Sequence, residues 1–379
     1  MTTPIRPGAT VGIIGGGQLG RMMAMAARSL GFDVHVLDPD AWCAACPVAD
    51  RHITASFDDA DAAADLAREC DVVTLEIEKV SLASLRAAEA HAPVRPGAHV
   101  LEVVQDRARQ KGWLAERGFP LGPYRDATTE SELAAAAEAM GRGAFAKACG
   151  GGYDGRGQVE LRSAADVREA WAALGGAPCV VEQALDLEAE LSVLVARRPG
   201  GDAIVYAPAL NHHESRILAW SVLPGPLPPD IVRDATRIGR AIAEELGVEG
   251  LLAIELFLLR DGRLLVNELA PRPHNSFHAT ERACLTSQFE QAVRAACDLP
   301  LGSPAVVQPA AIINLLGDLW RDGATPAFEE ALRLPGVRLH LYGKRDARPG
   351  RKMGHLSAVG DTPDEAVALV RKARAALTG

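Results

Sequence analysis

The stretch LLAIELFLLRDGRLLVNELAPRPHNSFHAT, residues 251–280, carries two glutamates inside apolar runs. Asp261 and Gly262 separate the runs, and Asp-Gly favours a two-residue type I′ hairpin turn. Residues equidistant from such a turn lie opposite one another, so the spacing predicts that Glu255 faces Glu268 with Cβ atoms about 4.5–5.5 Å apart. Like charges so placed repel. A hard divalent cation bound through carboxylate oxygens removes the repulsion, and Mg²⁺ (or Mn²⁺) commonly takes one or two carboxylates together with substrate phosphates. The alternative is two glutamates that point to solvent or pair with separate arginines, and the apolar residues flanking each argue against it. Strand alternation places Asn267 on the face opposite Glu268.

A second stretch, AKACGGGYDGRGQ at 146–158, sets Lys147, Tyr153, Asp154 and Arg156 among five glycines. A linker needs glycine but no aromatic, acid and bases at fixed places. Between two strands, such a loop lets backbone N–H groups approach phosphate oxygens without side-chain obstruction. A third, TVGIIGGGQLGRMM, reads as strand, G-x-G-x-x-G turn (Gly15, Gly17, Gly20) and helix, followed by the strand VHVLD and Asp38. That order suits a dinucleotide, but the same glycines serve any close strand-to-helix turn or a phosphate on backbone N–H groups.

These groups need a scaffold of several elements. With 379 residues, two or three domains are expected. The hydrophobic content of 48% and charged content of 23% are those of a folded soluble chain. A net charge of -9 excludes a general attraction to nucleic acid or anionic membrane, so an anionic partner must meet a local basic patch. No signal-peptide order opens the chain, and the most apolar run, Gly250 to Leu259, is broken by Glu255, which reads as a cytoplasmic protein. Seven scattered cysteines read as reduced thiols, and Cys43 and Cys46 lack a second pair or nearby histidines for zinc. Helices are expected at RARQKGWLAERG, ESELAAAAEAM and PDEAVALVRKARAAL, with short strands at AFAKAC, QVEL and VRLHLYGK.

Five motifs in order, GGGQLGRM (15–22), GGYDGRGQ (151–158), VEQ (181–183), NELAPRPHNS (267–276) and RPGRKMGHL (348–356), make the chain resemble ATP-grasp enzymes, most closely the carboxyaminoimidazole ribonucleotide synthases. The resemblance implies a mixed α/β and α+β fold. Its parts are a Rossmann-like pre-ATP-grasp domain (1–100), an ATP-grasp domain (101–305, lid lobe about 115–178) and a small β-rich C-terminal domain (306–379). It implies a ligase that uses ATP to activate bicarbonate as carboxyphosphate and passes the carboxyl group to the exocyclic amine of 5-aminoimidazole ribonucleotide. A homodimer is also implied.

Site roles follow from the same resemblance. Lys147 and Arg107 would meet ATP phosphates under a lid formed by Gly152, Tyr153, Asp154, Gly155, Arg156, Gly157 and Gln158. Tyr153, Asp154 and Arg156 would also face the acceptor and bicarbonate. Glu182, Gln183, Ala184 and Leu185 would read adenine, Glu190 the ribose, with His213 a further contact and Asn267 and Glu268 beside the phosphates. Arg272 would clamp bicarbonate or the transferring phosphoryl group, and His274 would orient bicarbonate or manage a proton, with Asn275 nearby. Lys344 and Arg351, in a basic cluster with Arg348, Lys352 and His355, would bind the ribonucleotide phosphate and serve the carboxylation centre. Gln18, Leu19 and Glu76 would enclose the acceptor. Glu255 and Glu268 would hold the metal; the wider superfamily's asparagine two residues after the second glutamate is Ala270 here.

Two rivals remain open at this point. One is another ATP-grasp carboxylase or ligase, of the biotin carboxylase or formate-dependent transformylase kind. The other is a nicotinamide-dependent oxidoreductase or nucleotide sensor built on the glycine turn.

Overall fold

The computed structural model describes residues 3–141, 143–151, 157–320 and 323–378. The chain opens with a parallel four-stranded sheet in which Thr10–Ile14 lies between Asp33–Leu37 and Val72–Leu75, with Arg51–Ile53 outermost beside Asp33–Leu37. All the residues of Val72–Leu75 are buried, as expected of a parallel strand covered on both faces. Helix Gln18–Ser29 follows the glycine turn and buries Leu19, Met22, Met23 and Ala27, one side of its 3.6-residue period. The turn requires its glycines: Gly15 has φ +100°, and a Cβ on Gly20 would lie 2.3 Å from the Gly15 carbonyl oxygen.

A second four-stranded sheet forms the lid lobe, in the order Tyr124–Ala127, Cys179–Gln183, Ala144–Ala148, Gln158–Leu161. Helices Glu130–Met140 and Val167–Ala173 cover it through Leu133, Ala136, Met140 and Val167. The two strands expected on either side of the glycine loop pair antiparallel, with Lys147 opposite Gln158.

Among the described residues the largest sheet has nine strands. Its main path runs Leu264–Ala270, Gly250–Leu259, Leu187–Arg197, Ala209–Glu214, Ile217–Leu223, Ala310–Leu316, Lys352–Val359, Val337–Leu341. The sheet therefore crosses residues 305–306 without interruption, and the C-terminal strands extend the central sheet. Helix Pro229–Glu245 packs on this sheet by Ile231, Ala235, Ile238 and Ile242, each side chain a turn from the next. Each buried isoleucine contributes roughly 1.5–3 kcal/mol. Gly239 lets the helix approach, since a Cβ there would meet Val193 at 2.7 Å.

The hairpin at 250–270 corrects one expectation. Type I′ needs positive φ at both turn residues, and of Asp261 and Gly262 only Gly262 has it, at +86°. Leu259 and Arg263 instead flank a three-residue loop, with Leu259 N bonded to Arg263 O and Gly262 N to Leu259 O. This shifts the register by one residue, so Leu258 faces Leu264 and Leu256 faces Val266. A bulge at Asn267 then shifts it back, and Glu255 faces Glu268 as expected.

Candidate active site

A cleft of about 1140 Å³ lies where the three parts of the chain meet, and its walls include Gln18 and Leu19, Lys147 and Gln158, Glu255 and Glu268, and Lys344 and Arg351. The glycine-turn helix start, the lid strands, the central hairpin and the C-terminal basic loop each supply one wall.

At its floor Glu268 accepts a hydrogen bond from Arg107 Nη2 at 3.0 Å, and Glu255 lies 3.2 Å from His274 Nε2. The repulsion between the two carboxylates is thus met by one cation and one imidazole. Burial pushes the Glu255 carboxyl up, but the hydrogen bond and charge of His274, with His213 and Asn267, outweigh it and hold the group well below the usual carboxylate range. Asn267 corrects the alternation reading: the bulge turns it toward the site, and its Nδ2 donates to Glu255 Oε2 at 3.2 Å. Its Oδ1 is buried with no hydrogen-bond partner. Two carboxylates and this orphaned oxygen form a donor set that fits a hard cation such as Mg²⁺.

His274 is more constrained than the sequence suggested. A carboxylate can only accept, so Nε2 carries the proton toward Glu255, and Nδ1 lies 2.7 Å from Ser276 Oγ, which can either donate or accept. Gln288 fixes the backbone on both sides, accepting from His274 N and donating to His274 O. His274 thereby orients the Glu255 carboxylate. Arg272 pairs through Nε with Glu78 at 2.8 Å, a residue that carried no signal in the sequence.

On the nucleotide side, Arg107 begins the helix Arg107–Glu116, whose N-cap Asp106 accepts from Arg109 N. Lys147 lies on the strand Ala144–Ala148 and meets Glu182 Oε2 at 2.8 Å. Burial raises the Glu182 carboxyl, and Lys147, Lys111 and Arg107 outweigh this, holding it at about 2. Glu182 therefore turns its carboxylate to these cations, whereas the resemblance gave it to adenine. Gln183 and Leu185 line the cleft. Ala184 is absent from its walls, and its N–H bonds Gly143 O at 3.0 Å. Glu190 and His213 also line it and pair at 3.1 Å. Asn211, missed in the sequence, joins them on the wall through bonds to Ser192 and Ser221. Gly157 and Gln158 border the cleft. Gly152, Tyr153, Asp154, Gly155 and Arg156 lie outside the described residues.

On the opposite side Lys344 Nζ donates to Gln18 Oε1 at 2.7 Å, joining the basic loop to the glycine turn across 326 positions of sequence. Gln18 Nε2 lies 3.5 Å from Asn275 Oδ1. Arg348 and Arg351 line the same wall, and Arg351 Nη1 bonds Asp346 O at 3.0 Å. The turn's own N–H groups are already engaged: Gly16 donates to Asp38, and Gly17 and Gly20 donate to the two oxygens of Glu76. A dinucleotide pyrophosphate would need these donors, so the oxidoreductase reading loses its site. Asp38, just after the strand Asp33–Leu37, caps the turn.

The cysteine expectation changes in one respect. His52 Nε2 comes within 4.0 Å of Cys43 Sγ, and Cys43 Sγ lies 2.9 Å from Cys46 Sγ, so a histidine does stand near the pair. That nitrogen faces the Asp38 carbonyl oxygen at 3.2 Å and must donate to it, which leaves it no lone pair for a metal. All seven cysteines are free thiols.

Three family models match the chain: the ribonucleotide synthetase preATP-grasp domain over residues 8–105, the ATP-grasp domain over 113–289 and the phosphoribosylaminoimidazole carboxylase C-terminal domain over 310–368. The N5-carboxyaminoimidazole ribonucleotide synthase of Bacillus subtilis (strain 168) is 40% identical over 363 residues, covering 95% of this chain and 94% of that relative. That of Brucella melitensis is 41% identical over 359 residues, covering 94% and 98%. Among solved structures, an N5-carboxyaminoimidazole ribonucleotide synthetase with ADP superposes with TM-score 0.92 at 40% identity, covering 99% of this chain and 98% of that one. The Aspergillus clavatus N5-carboxyaminoimidazole synthase, in complex with ADP and 5-aminoimidazole ribonucleotide, does so with TM-score 0.89 at 32% identity, covering 97% and 98%. An ATP-grasp domain flanked by these two partner domains, with relatives alike along nearly the whole length, places the chain in the N5-carboxyaminoimidazole ribonucleotide synthase family of ATP-grasp ligases.

Proposed function

We propose that this chain carboxylates the exocyclic amine of 5-aminoimidazole ribonucleotide at the expense of ATP, in purine biosynthesis. Bicarbonate oxygen attacks the γ-phosphorus of ATP, giving carboxyphosphate and ADP. The carboxyl group then passes to the amine nitrogen: a C–N bond forms, the C–O bond to phosphate breaks, and phosphate and the amine's proton leave. The observation that carries this reading is the Gln18–Lys344 contact, which joins the glycine turn to the basic loop in the same cleft that Lys147 and the facing glutamates line.

Lys147 and Arg107 bind the triphosphate, Glu190 and His213 take the ribose side, and Gln183 and Leu185 border the base. Glu255 and Glu268, with Asn267 Oδ1, would hold Mg²⁺ or Mn²⁺, which neutralises phosphate charge when bound. Arg272, held at Nε by Glu78 and at Nη1 by the Pro273 carbonyl oxygen, faces bicarbonate with what remains of its guanidinium. Gln18, Leu19, Lys344 and Arg351 receive the ribonucleotide. By motif resemblance, Tyr153, Asp154 and Arg156 close on both substrates and keep water from carboxyphosphate. A cytoplasmic homodimer accords with this reading.

The test is ADP release from the purified chain with MgATP and bicarbonate, with and without 5-aminoimidazole ribonucleotide. Strong stimulation and an acid-labile carboxylated product are expected. ATP binding without stimulation would redirect the search to another ATP-grasp acceptor.

A further inference from the structure

Lys111 carried no signal in the sequence, yet it is among the most deeply buried charges in the chain, with 2% of its surface exposed. It follows Arg107 by one helical turn on Arg107–Glu116, so both side chains leave the same face of the helix. Its Nζ stands 3.3 Å from Glu182 Oε1. The same carboxylate meets Lys147 at 2.8 Å and Arg107 at 3.9 Å. Three cations thus share one buried acid.

The three differ in what else they can reach. Lys147 and Arg107 line the main cleft; Lys111 borders a small cavity behind it, with Pro123, Leu185, Phe257 and Val266. A triphosphate entering the cleft can recruit the first two but not the third. Once they turn to phosphate, Lys111 is the one of the three left on Glu182, whose buried carboxylate would otherwise lack a counter-charge.

We infer that Lys111 is a positioning residue, the standing counter-ion of Glu182 that frees Lys147 and Arg107 for the nucleotide's phosphates. This rests on the ATP reading above. Without Lys111, Glu182 retains Lys147 and competes with the phosphates for it. Burial pushes the Lys111 ammonium down to about 8 while Glu182 opposes the fall, so the pair depends on both partners.

The experiment measures ATP dissociation constants for wild type, Lys111→Met, Lys111→Arg, Glu182→Gln and the double variant K111M/E182Q, with circular dichroism to verify folding. Lys111→Met is expected to weaken ATP about tenfold, and Lys111→Arg to stay within about threefold of wild type. In the Glu182→Gln background, K111M should change ATP affinity by less than about threefold, because the acid that competes is gone. Wild-type affinity in Lys111→Met, or an equal loss with and without Glu182, would overturn the inference. If Lys111→Met does not fold, the Glu182→Gln comparison decides alone. A wild type that binds ATP but ignores the ribonucleotide refutes the carboxylase and leaves this inference intact; a wild type that does not bind ATP removes both.

Discussion

Glu255 and Glu268 stand directly opposite each other, although the strands that carry them leave their turn one residue out of step with that pairing. The bulge at Asn267 restores the register and adds a third oxygen-bearing side chain on the same side. One inserted residue therefore does two things: it aligns the carboxylates and completes the donor set around them.

Glu268→Gln keeps the shape and the contact to Arg107 but loses a charge. Mg²⁺-dependent turnover should fall by about 100-fold or more, as expected when several kcal/mol of charge stabilisation is lost, with far-ultraviolet circular dichroism unchanged. Turnover equal to wild type at limiting Mg²⁺ would remove Glu268 from the metal site.

Lys344→Met breaks the bridge to Gln18 on the acceptor wall. The expected outcome is at least a tenfold fall in kcat/KM for the ribonucleotide, about the worth of one charge-assisted hydrogen bond, with ATP affinity within about threefold of wild type. Steady-state kinetics with each substrate varied in turn would separate the two, and a matching loss of ATP affinity would contradict the assignment.

Glu76 gives a pH dependence with a definite sign. Burial raises its carboxyl to about 7 from 4.5, against the lowering by the N–H groups of Gly20 and Gly17. The folded chain therefore holds this proton more tightly than the unfolded one, and stability falls as pH rises from 4.5 to about 7. Glu76→Gln stays neutral, so its apparent Tm should decline less across that window. Thermal unfolding at several pH values tests this, and parallel curves for the two proteins would refute it.

Gly20→Ala tests why the turn is glycine. Its Cβ would meet the Gly15 carbonyl oxygen at 2.3 Å, so the helix start must shift. A loss of about 1–3 kcal/mol is expected, read as a lower Tm, together with weaker ribonucleotide binding because Gln18 lies two residues away. An unchanged Tm would show that the turn yields without cost.

The local elements were legible because their causes are local. Apolar runs on either side of Asp261-Gly262 announced a hairpin, and the G-x-G-x-x-G turn after an apolar strand announced the helix that buries Leu19, Met22 and Met23. Two short strands joined by glycines announced the pair whose register sets Lys147 opposite Gln158. The motifs around Glu268, Arg272 and Lys344 then identified the cleft, because residue type and order carry the chemistry even before distances are known.

Tertiary structure alone decided the partners. Nothing local to Lys111 distinguishes a buried ammonium from a surface lysine on a polar helix; only the packing of Arg107–Glu116 beside Cys179–Gln183 sets it against Glu182. Glu78 became the partner of Arg272, and Asp38 and Glu76 took the turn's N–H groups, through contacts between segments far apart in sequence. The bulge at Asn267 was likewise hidden, since one extra residue leaves the apolar pattern readable while turning a side chain to the other face. Residue types determined what chemistry was possible; folding determined which charges meet, because electrostatic pairing depends on distance and burial.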